Sequence, residues 1–325
     1  MKKRVLITSS HFDVECQDAL KLFEEHGIEV VPSGTKLPYL TVEELVKLVP
    51  DVDGCISGID NWCAEVFEAS DRLKAVAKFG VGCDNFDQKA AAEHGVYVLN
   101  APGGNANAVA ELTVGFILAG LRNVDYLHNA LKEGEWKRAM GYELMGKTVG
   151  LYGFGDIARR VAKKLSGMDV TIIACDKYPN EEKAKELGVT FVSADELLAR
   201  SDVVSLHVPN LPENENIMNA EAFAKMKQDA FFVNTARGVL VDEDALYQAL
   251  KSGHLFGAAL DVFKKEPVDP SNPLLSLPNV IATPHTASET HESYRDVGLM
   301  TAQGIIDVLE GREPKYWVNK KYFNL

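Results

Sequence analysis

Short apolar runs alternate with amphipathic segments along almost the whole chain of 325 residues. Five of these runs fall in the first hundred residues, at 4–8, 28–31, 54–57, 74–79 and 96–99. The segments between them carry apolar residues at helical spacing, so strand and helix patterns follow one another repeatedly. This order predicts a parallel β-sheet with helices on both faces.

A second series of apolar runs begins after the stretch NAPGGNANA (100–108). It contains seven runs, at 148–153, 169–176, 189–192, 203–208, 230–234, 257–262 and 279–284. Helical patterns separate most of them, which predicts a second complete doubly wound unit. The expected fold class is therefore α/β, with two doubly wound parallel-sheet domains.

The segment 286–311 has the pattern of one long amphipathic helix. We expect this helix to cross back and pack on the first domain. The predicted domains are therefore residues 1–100 plus 290–325, and residues 101–289.

The composition is that of an ordinary globular protein, with 46% hydrophobic and 25% charged residues. A formal net charge of −13 argues against nucleic acid and anionic membranes as partners. The longest apolar stretch, 108–121, is interrupted by Glu111 and is shorter than the roughly 20 residues that span a bilayer. The five cysteines are scattered without a CxxC pair or a metal-ligand cluster, so we expect reduced thiols, a cytoplasmic location and no bound metal.

A glycine-rich motif, GFGDIA at 153–158, ends the first run of the second series. It fits the dinucleotide-binding pattern G-x-G-x-x-G/A in the required position between a strand and a helix. Gly153 permits the tight turn, and Gly155 lets the backbone approach a pyrophosphate. The first amides of the helix, at Asp156 and Ile157, would hold that pyrophosphate.

The next apolar run ends in Asp176. A carboxylate there can accept hydrogen bonds from both ribose hydroxyls and repel a 2′-phosphate, which favours NAD over NADP. Lys177 beside it is a counter-argument, because a lysine could tolerate that phosphate. NAD is the expected cofactor.

Polar residues follow three further apolar runs: Arg237 in NTARG, Asp261 in LDVFKKEP and His285 in TPHTAS. Ligands of an open α/β sheet bind at the carboxyl ends of its strands. We therefore expect Arg237, Asp261 and His285 to converge where the dinucleotide binds. Glu266 would lie close behind them, on the loop after Asp261.

These motifs, in this order and spacing, resemble the NAD-dependent D-isomer-specific 2-hydroxyacid dehydrogenases. The resemblance runs nearly from end to end, through GVGCDNFD (80–87), NAVAELT (107–113), LYGFGDIA (151–158), HVP (207–209), NTARG (234–238), ALDVF (259–263) and TPHTA (283–287). It implies a Rossmann NAD-binding domain inserted in a flavodoxin-like substrate domain. It also implies hydride transfer between NAD(H) and a small D-2-hydroxy acid or 2-oxo acid.

In that family an arginine, a glutamate and a histidine carry the chemistry, and the matching residues are Arg237, Glu266 and His285. Arg237 would hold the substrate carboxylate and polarise the carbonyl with its rigid fork of donors. His285 would protonate the carbonyl oxygen as hydride arrives, and accept the proton in the reverse direction. Glu266 would hydrogen-bond the far ring nitrogen, fix its orientation and tune its basicity.

The resemblance implies several further contacts. Asp261 would meet the nicotinamide amide, and the backbone amides of Val81 and Gly82 would form a second grip on the substrate carboxylate. The remaining residues would line the cofactor: His207, Val208 and Pro209 against the adenine, and Thr235 and Ala236 along the ribose.

Two alternatives remain for the substrate. Phosphoglycerate dehydrogenases place an arginine on the loop after the third strand of the substrate domain, whereas residues 57–62 here contain Asp60 and no arginine. That favours an unphosphorylated acid, such as glycerate or lactate, unless Lys36, Arg72 or a partner subunit supplies the positive charge. The alternative is a D-3-phosphoglycerate dehydrogenase of the short type, without a regulatory domain.

Two functions other than hydride transfer to a 2-oxo acid are also considered. Formate dehydrogenases share the fold but have glutamine in the place of Glu266, since a hydride taken from formate needs no proton relay. A non-enzymatic, NAD-sensing binding module is the other, although such relatives carry terminal extensions.

Assembly is predicted from the apolar segment 108–121. Relatives dimerise through this region, so its apolar residues indicate a buried contact between two copies, and a homodimer is expected. Trp136, in EGEW, is interpreted as a packing residue rather than a site residue.

Overall fold

A computed structural model of the chain describes residues 2–34 and 39–323. They form two compact α/β units. Unit 1 comprises Met1–Asn105 and Ser288–Leu325, and unit 2 comprises Ala106–Ala287. The prediction from sequence puts these two divisions at 100/101 and 289/290.

Unit 1 contains a five-stranded parallel sheet in the order β2-β1-β3-β4-β5. Its strands are β1 (Arg4–Ile7), β2 (Glu29–Pro32), β3 (Gly54–Ser57), β4 (Ala75–Lys78) and β5 (Tyr97–Leu99). The helices between them are α1 (Phe12–Glu15), α2 (Gln17–Glu25), α3 (Val42–Leu48), α4 (Ala64–Glu68) and α5 (Gln88–Glu93). This strand order is that of the flavodoxin-like doubly wound fold. The five predicted strands are confirmed.

Unit 2 contains a seven-stranded parallel sheet. Its helices are α6 (Ala106–Leu121), α7 (Val124–Lys132), α8 (Asp156–Leu165), α9 (Glu181–Leu187), α10 (Ala194–Arg200), α11 (Ala220–Lys225) and α12 (Glu243–Lys251). Its strands are β6 (Thr148–Tyr152), β7 (Thr171–Cys175), β8 (Val189–Phe191), β9 (Val203–Leu206), β10 (Ala230–Asn234), β11 (Leu255–Leu260) and β12 (Val280–Ala282). The order β8-β7-β6-β9-β10-β11-β12 is the doubly wound order of dinucleotide-binding folds, extended by one strand. The seven predicted strands are confirmed as well.

Strand β10 shows why these runs are apolar at successive positions rather than at alternate ones. All five of its residues are buried. Phe232 faces one hydrophobic core of unit 2, whereas Phe231 and Val233 face the core on the other side of the sheet. A central strand of a parallel sheet has no side that water can reach.

The long apolar helix α6 packs on the sheet of its own unit. Gly120 lies so close to β10 that an added β-carbon would be 2.0 Å from Phe231 Cζ. Phe116 and Ile117 are buried in the same core. Most apolar residues of α6 are therefore covered within unit 2, whereas Leu112, Val114 and Leu118 are only half-buried. Among the described residues no helix, α6 included, combines the length and apolarity needed to span a bilayer.

Helix α13 (His291–Leu309) returns the chain to unit 1. The hydroxyl of Thr290 caps it by accepting a hydrogen bond from the amide of Ser293 at 3.1 Å. Ile305 is fully buried, and a β-carbon on Gly54 would come within 3.0 Å of Ile305 Cγ2. The predicted amphipathic helix is present, and it lies directly on the sheet of unit 1.

Candidate active site

The carboxyl ends of β10, β11 and β12 lie side by side at one edge of the sheet of unit 2. In the register, Asn234 pairs with Leu260, which pairs in turn with the last residue of β12. The segments that leave these three ends carry Arg237, Asp261 and His285. The parallel sheet therefore brings together three residues that are far apart in sequence.

Glu266 and His285 form a direct hydrogen bond. Nδ1 of His285 lies 2.7 Å from Oε2 of Glu266, and the amide of Phe263 donates to Oε1 at 3.0 Å. Burial by itself would raise the pKa of Glu266, but the hydrogen bond from His285, the His285 charge, the Phe263 amide and the Arg237 charge together lower it. Glu266 is thus an ionised acceptor that occupies Nδ1, which leaves Nε2 as the ring nitrogen able to exchange a proton with a substrate.

The backbone of His285 has a left-handed conformation, with φ of +52°. Asp261, which is 1% exposed, lies beneath this turn. Its carboxylate accepts hydrogen bonds from the hydroxyl of Thr283 at 2.5 Å and from the amides of Thr286 and Ala287 at 2.8 and 3.0 Å. Burial raises the pKa of the Asp261 carboxyl, against the lowering effect of these donors.

Arg237 is brought to the loop of Glu266 by a glycine. A β-carbon on Gly238 would lie 1.9 Å from the carbonyl carbon of Phe263, so no other residue can occupy this position without displacing that backbone. The close approach sets the turn that carries Arg237 against the segment that leads to Glu266. Arg237 Nη1 donates to the carbonyl of Ala236 at 2.7 Å, and its charge contributes to the lowered pKa of Glu266.

Two polar residues brace this turn from inside. Asn234 is 1% exposed; its side chain donates to the carbonyl of Arg237 at 2.9 Å and accepts from the amide of Ala236 at 3.0 Å. The hydroxyl of Thr113, on α6, lies 3.0 Å from the hydroxyl of Thr235. The strand end is therefore rigid up to the residue that carries the guanidinium.

The glycine-rich turn between β6 and α8 has the form that a pyrophosphate needs. Gly153 has φ of +99°, and a β-carbon there would lie 2.7 Å from the carbonyl oxygen of His207. A β-carbon on Gly155 would meet nothing within 4 Å. Gly155 is the N-cap of α8 and has no side chain to bond the first helical amides, at Asp156 and Ile157. The turn therefore fits a bound dinucleotide.

Asp176 follows the last residue of β7, and its carboxylate also binds the glycine-rich turn. Its carboxylate accepts hydrogen bonds from the amides of Phe154 and Tyr178, both at 2.7 Å. Lys177, the residue that argues for NADP, instead pairs with Glu213 at 3.3 Å. Its ammonium group therefore has a carboxylate partner of its own.

His207, at the end of β9, forms the wall behind the glycine-rich turn. Burial lowers the pKa of its imidazole to about 4, so the ring is neutral near pH 7. Val208 Cγ1 would lie 3.0 Å from a β-carbon on Gly153, and Pro209 is exposed beyond it. The three residues together follow one side of the turn.

Val81 and Gly82 lie in unit 1, on the loop that follows β4. The preceding Gly80 has φ of +141°, which only glycine adopts readily. The side chain of Asn100 donates to the carbonyl of Val81 at 2.8 Å and so fixes the loop.

Asp60 lies on the loop that follows β3. It is 1% exposed, and its carboxylate accepts hydrogen bonds from the hydroxyl of Thr8, from Ser57 Oγ at 2.6 Å and from the amide of Leu40 at 2.6 Å. The carboxylate therefore lies inside unit 1 and not at the surface of its loop.

The structure shows a partner for one of the two cations that could bind a substrate phosphate, and the other is not among the described residues. Arg72 forms an ion pair with Asp53 at 2.8 Å. Lys36 lies outside the described residues. The 57–62 loop still contains no arginine.

The comparison with known families gives a clear result. Residues 114–287 match the family model described as D-isomer specific 2-hydroxyacid dehydrogenase, NAD binding domain. The chain belongs to this family.

Individual members of the D-isomer specific 2-hydroxyacid dehydrogenase family match over most of the chain. A D-3-phosphoglycerate dehydrogenase of Methanocaldococcus jannaschii is 43% identical over 93% of the chain and 57% of its own length. A hydroxypyruvate reductase of Thermotoga maritima is 43% identical over 83% of the chain and 89% of its own length. The solved structure of the TT0316 protein of Thermus thermophilus has a TM-score of 0.87 at 38% identity, and covers 97% of this chain and 99% of that one.

The chain therefore spans 57% of the length of the phosphoglycerate dehydrogenase relative and nearly the full length of the solved structure. Unit 2 is the NAD-binding domain of this family, which agrees with the expected cofactor. In the described ranges no group of three or more His, Cys, Asp or Glu side chains is arranged to hold a metal.

Three contributors to the site are absent from the prediction made from the sequence. Asn234 and Thr113 brace the turn before Arg237, and the amide of Phe154 binds Asp176. The role of Asn234 is weakly indicated by the sequence, because a buried asparagine at the end of an apolar strand needs hydrogen-bond partners. The role of Thr113 is not indicated by the sequence, since its partner Thr235 is distant in the chain.

Proposed function

We propose that this protein interconverts a small D-2-hydroxy acid and the corresponding 2-oxo acid, with NAD(H) as the hydride carrier. The observation that carries the proposal is the pair of His285 and Glu266, 2.7 Å apart, with the charge of Arg237 beside it. Reduction of a 2-oxo acid requires a proton donor, a group that orients it and a binder of carboxylates. All three belong to the NAD-binding unit.

In the direction of reduction, Arg237 binds the substrate carboxylate and the carbonyl oxygen through its planar fork of donors. NADH, when bound, supplies the hydride. His285 donates the proton on Nε2 to the carbonyl oxygen, while Nδ1 remains bonded to Glu266. Ionised Glu266 stabilises the positive charge of the ring before the proton leaves. In oxidation the same imidazole accepts the hydroxyl proton.

The cofactor is proposed to lie along the glycine-rich turn. Its pyrophosphate would accept hydrogen bonds from the amides of Asp156 and Ile157, and its adenosine ribose would bind Asp176. Two observations support this placement. A β-carbon at position 153 would collide with the carbonyl oxygen of His207, and a β-carbon on Gly155 would meet nothing within 4 Å. The other proposed cofactor contacts are His207, Val208 and Pro209 at the adenine, and Thr235 and Ala236 at the ribose.

Unit 1 is proposed as the substrate domain. The amides of Val81 and Gly82 are its proposed donors to the substrate carboxylate, because consecutive amides after a positive-φ glycine can form an anion-binding nest.

An unphosphorylated substrate is proposed, with 3-phosphoglycerate as the second candidate. Relatives named hydroxypyruvate reductase and D-3-phosphoglycerate dehydrogenase are both 43% identical to the chain, so identity does not separate the two. The loop 57–62 offers no arginine to a phosphate, and Arg72 is paired with Asp53. These two observations support the unphosphorylated acid.

The test is oxidation of NADH, followed by absorbance, with glyoxylate, pyruvate, hydroxypyruvate and 3-phosphohydroxypyruvate. We expect turnover with at least one unphosphorylated acid, and a kcat/KM about tenfold or more lower for the phosphorylated one, since the 57–62 loop offers its phosphate no arginine. A higher kcat/KM for 3-phosphohydroxypyruvate would favour the phosphoglycerate alternative. NADH binding without turnover of any acid would favour the non-enzymatic module.

A homodimer is proposed through residues 131–140, which we call the arm. Every residue of the arm is exposed, and Trp136 and Met140 are 87% and 91% exposed. Trp136 is therefore not packed within the single chain, and its interpretation as a packing residue stays a prediction. A groove of about 310 Å³ on the same unit is lined chiefly by apolar residues: Leu118, Leu121, Tyr142, Leu144, Met145 and Met168. The arm and the groove belong to the same unit. Two copies related by a two-fold axis can therefore each place the arm in the groove of the other.

The arm also has a charge pattern that suits self-association. It carries three basic and two acidic side chains: Lys132, Lys137, Arg138, Glu133 and Glu135. Two copies can therefore pair opposite charges instead of repelling each other.

Replacing Trp136 with serine should weaken the dimer, raising its Kd about 30-fold or more, because a buried interface tryptophan is commonly worth at least about 2 kcal/mol. Light scattering after size-exclusion chromatography over a concentration series measures the change. Val14→Ser is the matched control, since Val14 is an exposed apolar residue of unit 1. An unchanged mass for both variants at all concentrations would contradict this interface.

A cytoplasmic location is proposed, because all five cysteines lie in the described ranges and are free thiols. Neither nucleic acid nor an anionic membrane is proposed as a partner, given the net charge of −13.

A further inference from the structure

The histidine of the candidate active site has a backbone conformation that residues other than glycine seldom adopt. His285 has φ of +52°, in the left-handed region where a β-carbon crowds the following carbonyl oxygen. Few residues other than glycine adopt this conformation, although asparagine, aspartate and histidine do so more often than the rest, as His11 also does with φ of +57°. Hydrogen bonds from the surrounding structure can offset the crowding at His285.

Asp261 supplies hydrogen bonds on both sides of that residue. Its carboxylate accepts from Thr283 at 2.5 Å, two positions before the histidine, and from the amides of Thr286 and Ala287 after it, at 2.8 and 3.0 Å. Its own carbonyl oxygen accepts from the amide of His285 at 2.7 Å. One residue thus binds four groups of the segment 283–287.

The burial of Asp261 makes these bonds interdependent. With 1% of its surface exposed, the carboxylate has almost no access to water, and its charge is compensated by the three donors of the segment. If the segment moved, a buried charge would lose its partners. The carboxylate and the left-handed turn therefore stabilise each other.

We propose that Asp261 is a positioning residue, which holds the backbone of His285 in its left-handed conformation and so places the imidazole against Glu266. The inference rests on the proposed function, in which His285 exchanges the proton. The resemblance implies a different role, contact with the nicotinamide amide. Asp261 is 1% exposed and its carboxylate already accepts three hydrogen bonds from the segment 283–287, which favours the positioning role.

Replacing Asp261 with asparagine tests the two roles. Asparagine has a carbonyl oxygen and an NH2 group, and the NH2 group only donates. Its side chain therefore cannot accept hydrogen bonds from Thr283, Thr286 and Ala287 all together. We expect kcat to fall about 100-fold, as displacement of a reacting group by about 1 Å can cause, with the Kd of NADH unchanged within about twofold. A parallel loss of NADH affinity would overturn the proposal in favour of nicotinamide contact.

The matched control is Asp202→Asn. Asp202 is another partly buried carboxylate of unit 2, and it accepts from the amide of Thr148 at 2.8 Å and from Lys227 at 2.6 Å. It precedes β9 and so lies at the opposite edge of the sheet. We expect kcat of this variant to stay within about twofold of the unaltered protein, because its bonds do not reach the site.

A double variant shows whether Asp261 acts through the histidine. In a His285→Ala background, adding Asp261→Asn should not lower the residual turnover further, since residues that act as one unit are not additive. A further drop by the same factor as in the single variant would refute the positioning role. Absence of NADH oxidation by the unaltered protein with any 2-oxo acid would instead refute the proposed function.

Two measurements keep the proposal testable if Asp261→Asn folds poorly or if activity is too low. Thr283→Val removes one donor and should lower kcat about tenfold, whereas Thr283→Ser keeps the hydroxyl and should retain most of the activity. Hydrogen exchange at the amide of Ala287 should be at least about tenfold faster in Asp261→Asn, because an asparagine that keeps its carbonyl oxygen for Thr283 and Thr286 places its NH2 group against this amide. Equal activity of the two Thr283 variants, or unchanged exchange, would contradict the proposal.

Discussion

Replacing His285 with alanine should lower kcat by about 10³-fold and leave the Kd of NADH within about twofold of its original value. The imidazole is held by Glu266 at Nδ1 and offers Nε2 to the substrate oxygen, so its removal eliminates the proton donor. It contributes no backbone to the glycine-rich turn at 153–158. Single-turnover kinetics with a saturating 2-oxo acid, together with NADH fluorescence titration, separate the two quantities.

His254→Ala is the control for this experiment. His254 also lies in unit 2, but it precedes β11, at the edge of the sheet opposite His285, and its Nε2 contacts the carbonyl of Phe223 at 3.0 Å. The kcat of the His254→Ala variant should equal that of the unaltered protein. A His285→Ala protein that keeps its full kcat, or that loses NADH affinity to the same degree as activity, would remove His285 from the proposed role.

Replacing Asp176 with serine should reduce the preference for NADH over NADPH by about 10- to 100-fold in kcat/KM. The loss of a charged acceptor for ribose hydroxyls weakens NADH binding by about 1.5–3 kcal/mol, and the repulsion of a 2′-phosphate disappears with it. Steady-state kinetics with both cofactors at a fixed 2-oxo acid concentration measure the ratio.

The structure adds a second variant, Asp176→Asn, because Asp176 also accepts from the amides of Phe154 and Tyr178. Asparagine keeps one carbonyl acceptor for the turn and removes the charge, so it separates the electrostatic effect from loss of the turn. Asp195→Asn, at an exposed carboxylate paired with Lys225, controls for the change in net charge. A ratio that stays constant in both Asp176 variants would place the cofactor selector elsewhere.

The strands of both sheets could be predicted because each is a short apolar run between helical patterns. Buried parallel strands such as β10 are apolar at nearly every position until they end. The same rule makes strand ends visible, and it is why Arg237, Asp261 and His285 could be grouped before any coordinates were known.

The direction in which a polar side chain points could not be predicted. Asp60 follows a strand end just as Asp176 does, yet Asp60 binds Thr8 and Ser57 inside unit 1. Those partners come from different elements, so no local pattern distinguishes the two aspartates. The left-handed conformation of His285 is hidden for the same reason, because its support comes from Asp261 across the sheet edge.

Trp136 illustrates a third limit. A tryptophan near an apolar helix is usually buried at least in part, and its sequence context gives no sign that every residue of the arm would be exposed. The exposure of an apolar side chain depends on whether the rest of the fold covers it.

The covering of β3 by the final helix has a consequence for synthesis on the ribosome. Gly54 and Ile305, which meet at the sheet of unit 1, are separated by all of unit 2 in the order of translation. Unit 2 is one uninterrupted stretch and can fold as soon as it leaves the exit tunnel. One face of the sheet of unit 1 therefore remains without its covering helix until α13 has been synthesised.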